Sequence, residues 1–587
     1  MTHTGSTHHI WQRSAVALGA MLIATAASAN FQNGDFATNL NPPSPWEQHG
    51  HKRATMGTAA NPKIPKEFDD LGFTDTDTDT GIYVSKSARM AAPFTVAMTG
   101  NVLRSDNRDA VRIHTDVTAD GNNNRVSSFS QIITIAPGDI DNGQDKGVDD
   151  KKLHLRFLGA PVLDANNHTG ETLPYYFIDV VKNPGTVGET VIYTDYNYAN
   201  QAGIKWKDGV TTGSSEYKYT DWVEYDIALD ASKVSVGDDV QLRITAAGCN
   251  AGGHAGAFYL RDVRTEMASN LDDTLWITVE SNPAAVYEPV SGEDYSYVTY
   301  TYTYKNNGNT TVNNVAINPT LPVTSNIRNV SQSFPTELIS IGTPTFGTGT
   351  PSCNASKVTE LAVADNADPA CTIGTLAPGE SGTFTMVVKV PSNTKADSVN
   401  NGYYPIMGTN VDPISGQVVK TPLLARITPD VSKVPTSMPF GQPLPPTAGF
   451  SCTNTGATEA VGASCMITGL PTGVTVGQCT VSPGATNWNQ GSDIPMGQTV
   501  SCPLTGTPTD PSQTSTPIKV TGDTTNGPGS DVGTPTPQEA PVVGQGPGGA
   551  VLLVAPSSVP TMSEWGLIVM SSVMALFAFG MRRRLPF

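Results

Sequence analysis

Between Tyr295 and Asn306 the sequence reads YSYVTYTYTYKN, with Tyr300, Tyr302 and Tyr304 at every second position and threonines between them. Side chains alternate across a β-strand with a period of two, so the tyrosines share one face and the threonines the other. Shorter runs of strand character recur in VSSFSQIITI, PYYFIDVV, WVEYDIAL and VQLRITAA, separated by Gly, Asn, Asp and Pro. The 56 glycines and 44 prolines punctuate the chain, and runs of Ala, Leu, Glu and Lys at helical spacing are absent outside its ends. The expected fold class is all-β.

A chain of 587 residues is too long for one core, and domains of roughly 100 to 200 residues predict about three or four units. The formal charge of -18 is spread over a chain that is only 15% charged. Phosphate is repelled by such a surface, which argues against nucleic acid as a partner; solubility outside the cell and divalent-cation binding fit it better.

Residues 1–29 read as a secretory signal peptide: Arg13 supplies the positive charge, Ala15 to Ala27 form a short apolar core, and Ala27-Ser28-Ala29 offers a small-residue cleavage pattern. Signal peptidase is then the first partner, and the mature chain begins near Asn30. All seven cysteines, at 249, 353, 371, 452, 465, 479 and 502, fall in the exported part. An oxidising compartment permits disulfides, and no C-x-x-C spacing points to zinc or redox chemistry.

The first unit spans 30–267. Asn33-Gly34-Asp35-Phe36 near its start, Trp206 and Trp222 on later strands, then Gly252-Gly253-His254 and a closing Tyr259-x-x-Asp262-Val263 resemble the galactose-binding-like jelly rolls of bacterial surface proteins. The resemblance implies a jelly-roll sandwich, often sugar-binding, with Trp206, Trp222 and His254 as candidate ligand contacts. In its last strand, Phe258 and Leu260 alternate with Tyr259 and Arg261, and such packing is expected to bury one set. Trp46, Trp206 and Trp222 are candidates to stack on sugar rings, with core filling as the alternative.

The second unit, 271–400, contains the tyrosine strand, a turn expected at Asn307-Gly308 through positive φ, and LAPGESGTFTMVVKV as a Pro-Gly turn with a final strand. Asn306 to Thr310, Asn314-Val315, Cys371 and Leu376 to Ser381 make it look like an Ig-like repeat of bacterial cell-surface proteins. That resemblance implies a spacing and presenting module, with Cys353 and Cys371 as a bridge worth roughly 3 kcal/mol by restricting the unfolded chain. The third unit, 427–524, is a second Ig-like sandwich with four cysteines, for which three pairings are open. Short loops favour Cys452 with Cys465 and Cys479 with Cys502. Cys249 is left over, either as buried packing or as an exposed thiol. Residues 525–558 are dominated by Pro and Gly and read as a disordered, flexible linker.

The chain closes on VPTMSEWGLIVMSSVMALFAFGMRRRLPF. Trp565 to Met581 is a run of 17 residues without a charge, near the lower limit for a transmembrane helix, with Trp565 at the interface and Arg582, Arg583 and Arg584 kept on the cytoplasmic side. Val559-Pro560-Thr561-Met562 and Ser563-Glu564-Trp565-Gly566, followed by that span and the arginines, closely resemble the IPTL-CTERM sorting signal of Gram-negative bacteria. The resemblance implies transient anchoring in the inner membrane, then processing by an exosortase-type transpeptidase and delivery to the cell surface or the medium. A plain tail anchor is the alternative.

Calcium is the one cofactor the sequence raises. Asp139, Asp141 and Asp145, with Asp149 and Asp150, form one acidic loop, and Asp75, Asp77 and Asp79 another. EF-hand spacing fails for both: counted from Asp75, the required Gly and Glu are Thr80 and Lys86. Nucleophile–base, zincin and phosphate-loop motifs are missing. The chain therefore reads as an exported, surface-sorted, non-enzymatic protein for display, adhesion or extracellular-matrix association, with a surface glycan as ligand of its first unit. The alternatives are a polysaccharide hydrolase with its carboxylate pair hidden among the 53 acidic residues, and a purely structural surface component.

Overall fold

The computed structural model describes residues 31–527, apart from most of 53–109, the segments 116–124, 141–150, 166–172, 250–253, 266–274, 327–332, 362–367 and 511–516, and a few shorter gaps. The strands Gln538–Val543 and Val551–Leu552 follow. Among the described residues the one helical element is a 3-10 turn at Ala355–Lys357. The protein is all-β, arranged in several sheets around successive cores.

The first core lies between two sheets. One has five strands in the order Glu47–Lys52, Arg125–Thr134, Asp239–Ala247, Tyr175–Lys182 and Thr190–Tyr198. The other runs from Val223–Leu229 through Leu153–Asp164 and Gly256–Arg264 to Ala110–His114. Trp46 is core: it stacks on Phe129 with ring centroids 4.5 Å apart, and Phe31 and Phe36 pack against it. The two ends of this unit meet. Gly34 O accepts the Val263 N–H at 2.9 Å, and a Cβ on Gly34 would fall 2.0 Å from Val263 O, so only glycine fits there.

The last strand of this unit corrects the one-sided expectation. Phe258 and Leu260 enter the first core, yet Ala257 and Tyr259 on the opposite face are buried too, in a smaller cluster with Leu158, Ala160, Val162 and Trp222. Arg261 lies over the Trp222 ring at 4.6 Å from its centroid. That outer cluster is closed by Tyr217, Tyr219 and Trp222 of the first unit and by Ile414 from beyond it, and the sheet itself does not end with the first unit. Val223 and Glu224 pair in parallel with Ser415 and Gly416, so the sheet continues through Val411–Gly416, Pro405–Gly408, Val312–Ile317 and Cys371–Leu376 of the second unit. That unit runs past the expected bound at 400: Ser398–Asn400 pairs with Lys420–Pro422, and Leu423 joins its core.

In the second unit Tyr300, Tyr302 and Tyr304 are fully buried, and Tyr302 stacks on Phe384 at 4.7 Å. The chain leaves this strand through a corner organised by Asn306. Its backbone N–H and C=O bond Glu380 O and the Gly379 N–H, while its side-chain amide donates to Thr310 O and Leu376 O and its Oδ1 accepts the Gly308 N–H. The expected positive φ at Asn307-Gly308 is absent. An asparagine side chain closes the bend instead, and the left-handed residue is Gly379 (φ 81) on the facing turn.

The same corner recurs in the third unit. Asn454 bonds Gln498 O and the Gly497 N–H through its backbone, and Thr458 O, Ile494 O and the Gly456 N–H through its side chain. Asn306-x-Gly308-x-Thr310 and Asn454-x-Gly456-x-Thr458 are thus one motif used twice, each facing a turn with a left-handed glycine, Gly379 or Gly497.

Disulfides join Cys353 to Cys371, Cys452 to Cys465 and Cys479 to Cys502. The second ties Gly449–Asn454 to Ser464–Thr468, strands of different sheets, and so staples the third sandwich across its core. Cys249 is a buried thiol. Within the expected linker over 525–558, residues 525–527 and two short strands are described. Asn526 donates to Glu459 O and accepts the Val461 N–H, and Gln538–Val543 pairs antiparallel with Pro517–Asp523. Those six residues, QEAPVV, hold no glycine and two adjacent valines, which lets them extend the sheet.

Replacing Asn306 or Asn454 by alanine leaves buried backbone groups without their bonds. Each variant is expected to destabilise its own unit by about 2 kcal/mol or more. Urea unfolding of the full chain reads this as an earlier transition for that unit alone.

Candidate functional site

The seam between the first and second units is held by more than strand pairing. Gln417 N–H donates to Glu224 O at 3.0 Å, Lys152 Nζ meets Glu280 Oε1 at 2.9 Å, and Tyr198 Oη lies 3.0 Å from Ser325 Oγ. Asn400 Nδ2 donates to Ala202 O at 2.5 Å, and Lys420 Nζ reaches across to Asp195 Oδ1 at 2.8 Å. There is no room for a side chain at position 416, where a Cβ would meet Tyr404 Oη at 2.4 Å and Ile277 O at 2.5 Å.

Beside this seam opens a pocket of about 220 Å³. The first unit contributes Tyr176, Asp195, Asn197 and the turn Thr220-Asp221-Trp222; the second contributes Tyr403 and residues of the segment 413–418. Tyr176 and Tyr225, one from each sheet of the first sandwich, place their phenols 3.1 Å apart. Burial pushes both phenols up, so they remain protonated and available for hydrogen bonds. Asp195 and Asn197 sit two residues apart on one strand and so share a face, and Asn197 Nδ2 donates to Asp195 Oδ2 at 2.8 Å. Asp221 pairs with Lys207. Both pocket carboxylates therefore carry a lysine partner.

A second polar cluster lies under the seam, on the outer face of Leu153–Asp164 and Val223–Leu229. Asp226 receives His154 Nδ1 at 2.6 Å and Arg156 Nε at 3.1 Å, all three buried. Burial alone would raise the Asp226 carboxyl, but Arg156 and then His154 hold it well below the ordinary carboxylate range. Its neighbour Glu224 is shifted up, chiefly by burial, against the pull of Arg264.

The residues singled out in the sequence do not converge. Of Trp206, Trp222 and His254, Trp222 alone lines the pocket; Trp206 packs against the first core and donates Nε1 to Gln201 O at 3.2 Å, while His254 O accepts the Cys249 N–H. Asp139 is buried and caps its own turn by accepting the Ala136 N–H at 2.7 Å. Asp141 and Asp145 lie outside the described residues, as do Asp75, Asp77 and Asp79. Among the described residues no three His, Cys, Asp or Glu side chains gather for a metal. Asp195, Asn197 and Tyr403 escaped the sequence reading because they come from separate segments and two units, with no local spacing to mark them.

The body is all-β and disulfide-bonded, and what speaks to its destination is the tail. Residues 557–584 match the IPTL-CTERM motif, which supports an exported protein sorted to the surface and is consistent with processing by an exosortase-type enzyme. No curated protein matches the chain. The cleavage residues Ala27, Ala29 and Asn30 and the sorting residues Val559 to Gly566 and Arg582 to Arg584 lie outside the described residues. Among those described, no helix is long and apolar enough to cross a membrane.

Asp226→Asn leaves Arg156 buried without its counter-charge, and a loss of about 3 to 5 kcal/mol is expected at neutral pH. The folded-state pKa of Asp226 is depressed, so its contribution is present above the unfolded carboxylate value and disappears as pH falls through the folded one. Thermal melting in acid should therefore bring wild type and variant together.

Proposed function

We propose that this is an exported, surface-sorted, non-enzymatic protein that displays three β-sandwich units on a Gram-negative cell for adhesion or extracellular-matrix association. The first unit is a galactose-binding-like jelly roll that recognises a surface glycan, and the next two are Ig-like modules that space and present it. Signal peptidase removes residues 1–29. The apolar run Trp565 to Met581, with Arg582 to Arg584 on the cytoplasmic side, then holds the protein in the inner membrane until an exosortase-type transpeptidase cuts near Val559 to Gly566.

The observation that carries this reading is the IPTL-CTERM match at 557–584 on an all-β body. Three disulfides support it, since such bonds persist in oxidising compartments. A concave pocket with aromatic and acidic walls favours recognition over a purely structural role.

Intact mass of the protein from its native host tests the sorting step. With the sorting enzyme present, the chain is expected to end between Val559 and Trp565; with that enzyme deleted, it should retain the three arginines. Retention of the arginines in both strains would make the tail a plain anchor and remove the sorting reading.

A further inference from the structure

We infer that the glycan site is composite: the pocket at the seam of the first two units takes one uncharged sugar ring, and neither unit holds it alone. This rests on the glycan reading of the first unit and relocates it. The first unit supplies a polar wall, Asp195, Asn197 and Asp221, and the second supplies the facing side with Tyr403.

The ligand class follows from charge, polarity and size. Asp195 is bound to Lys420 at 2.8 Å and Asp221 to Lys207, so each carboxylate is neutralised in place. Lys205 also lines the pocket, its Nζ donating to Leu361 O at 3.4 Å, so the lining carries both signs: a free anion would face Asp195 and Asp221, and a free cation Lys205 and the lysines that hold the two carboxylates. A neutral polyol disturbs neither pair. Its hydroxyls can donate to Asp195 and Asp221 oxygens, which accept more than one hydrogen bond, and can accept from whichever phenol of the Tyr176–Tyr225 pair does not donate to the other. An apolar ligand would instead strip water from Asp195 and Asn197 with no compensating bond. At about 220 Å³ the pocket is smaller than the roughly 300 to 1,000 Å³ of sites that enclose drug-sized ligands, which fits a single ring or the end of a chain.

Tyr403 is half-buried, its backbone N–H is fixed to Thr320 Oγ1 at 2.8 Å, and it lines the pocket from the second unit. The lining thus offers a sugar ring both aromatic residues, Tyr403 and Trp222, and hydrogen-bonding groups, the mixture expected of a polar small-molecule site. The seam makes this possible: the parallel pairing of Val223–Glu224 with Ser415–Gly416 fixes the distance between the two walls.

Isothermal titration of the full exported chain with the methyl glycosides of glucose, galactose, mannose and N-acetylglucosamine, and with glucuronate and glucosamine as charged controls, tests the assignment. At least one neutral glycoside is expected to bind. Tyr403→Ala, from the second unit, and Asp221→Ala, from the first, should each weaken it by roughly tenfold or more. Both side chains are partly exposed, so the variants should melt as the wild type does, and Tyr297→Ala, an exposed ring elsewhere on the second unit, should bind normally. Undiminished binding by both pocket variants would overturn the composite site while leaving a glycan site elsewhere in the first unit. Binding of glucuronate or glucosamine alone would overturn the neutral class. No binding of any glycoside would remove the composite site and the glycan reading together.

Discussion

Two residues of one strand, Val223 and Glu224, pair in parallel with Ser415 and Gly416, and the architecture of the first two units turns on that short seam. Parallel neighbours in a sheet need a long connection between them, and here the connection is most of the second unit. The pairing carries one sheet through both sandwiches and brings Ile414 against the outer face of the first, so that face is not free to be polar and solvated. Apolar residues at one end of that face and an ion cluster at the other are both buried. A buried carboxylate is tolerable only with partners, and Asp226 has two, Arg156 and His154. The seam is thus a cause of the charged core beneath it.

What could be read from the sequence was whatever one strand or one linear segment encodes. The tyrosine alternation was legible because one side of that strand is buried and the other is not. The strand Gly256–Arg264 was misread because both of its faces are covered, and period-two reasoning assumes a solvated side. Val411–Gly416, VDPISG, resembles a turn, and its pairing with a strand almost two hundred positions earlier has no local trace. The pocket shares that fate. The linear tail, by contrast, carried its whole signal in contiguous residues, and so it was recognisable without any fold.

Asn307-Gly308 is a more instructive miss. The dipeptide is a familiar hairpin signal, and it hid the residue before it. Asn306 does the work of the corner through its side chain and both backbone groups, and the repeat of the pattern at Asn454 was present in the sequence as two short matches separated by a long stretch of unrelated residues. Gly379 and Gly497 complete each corner from a facing turn, a contribution that only the folded arrangement connects to the asparagines.

The two corners differ in what they hold: the bonds of Asn306 stay inside the second unit, whereas Asn454 Oδ1 also accepts the Arg426 N–H at 3.4 Å and Thr458 Oγ1 donates to Ala396 O at 2.5 Å, so the second corner ties the third unit to the end of the second. Such a corner sets how a following module is joined to the one before it, and a module added in tandem would need an acceptor placed as Ala396 O is. The joint, and not the sandwich alone, is then what repetition would have to copy.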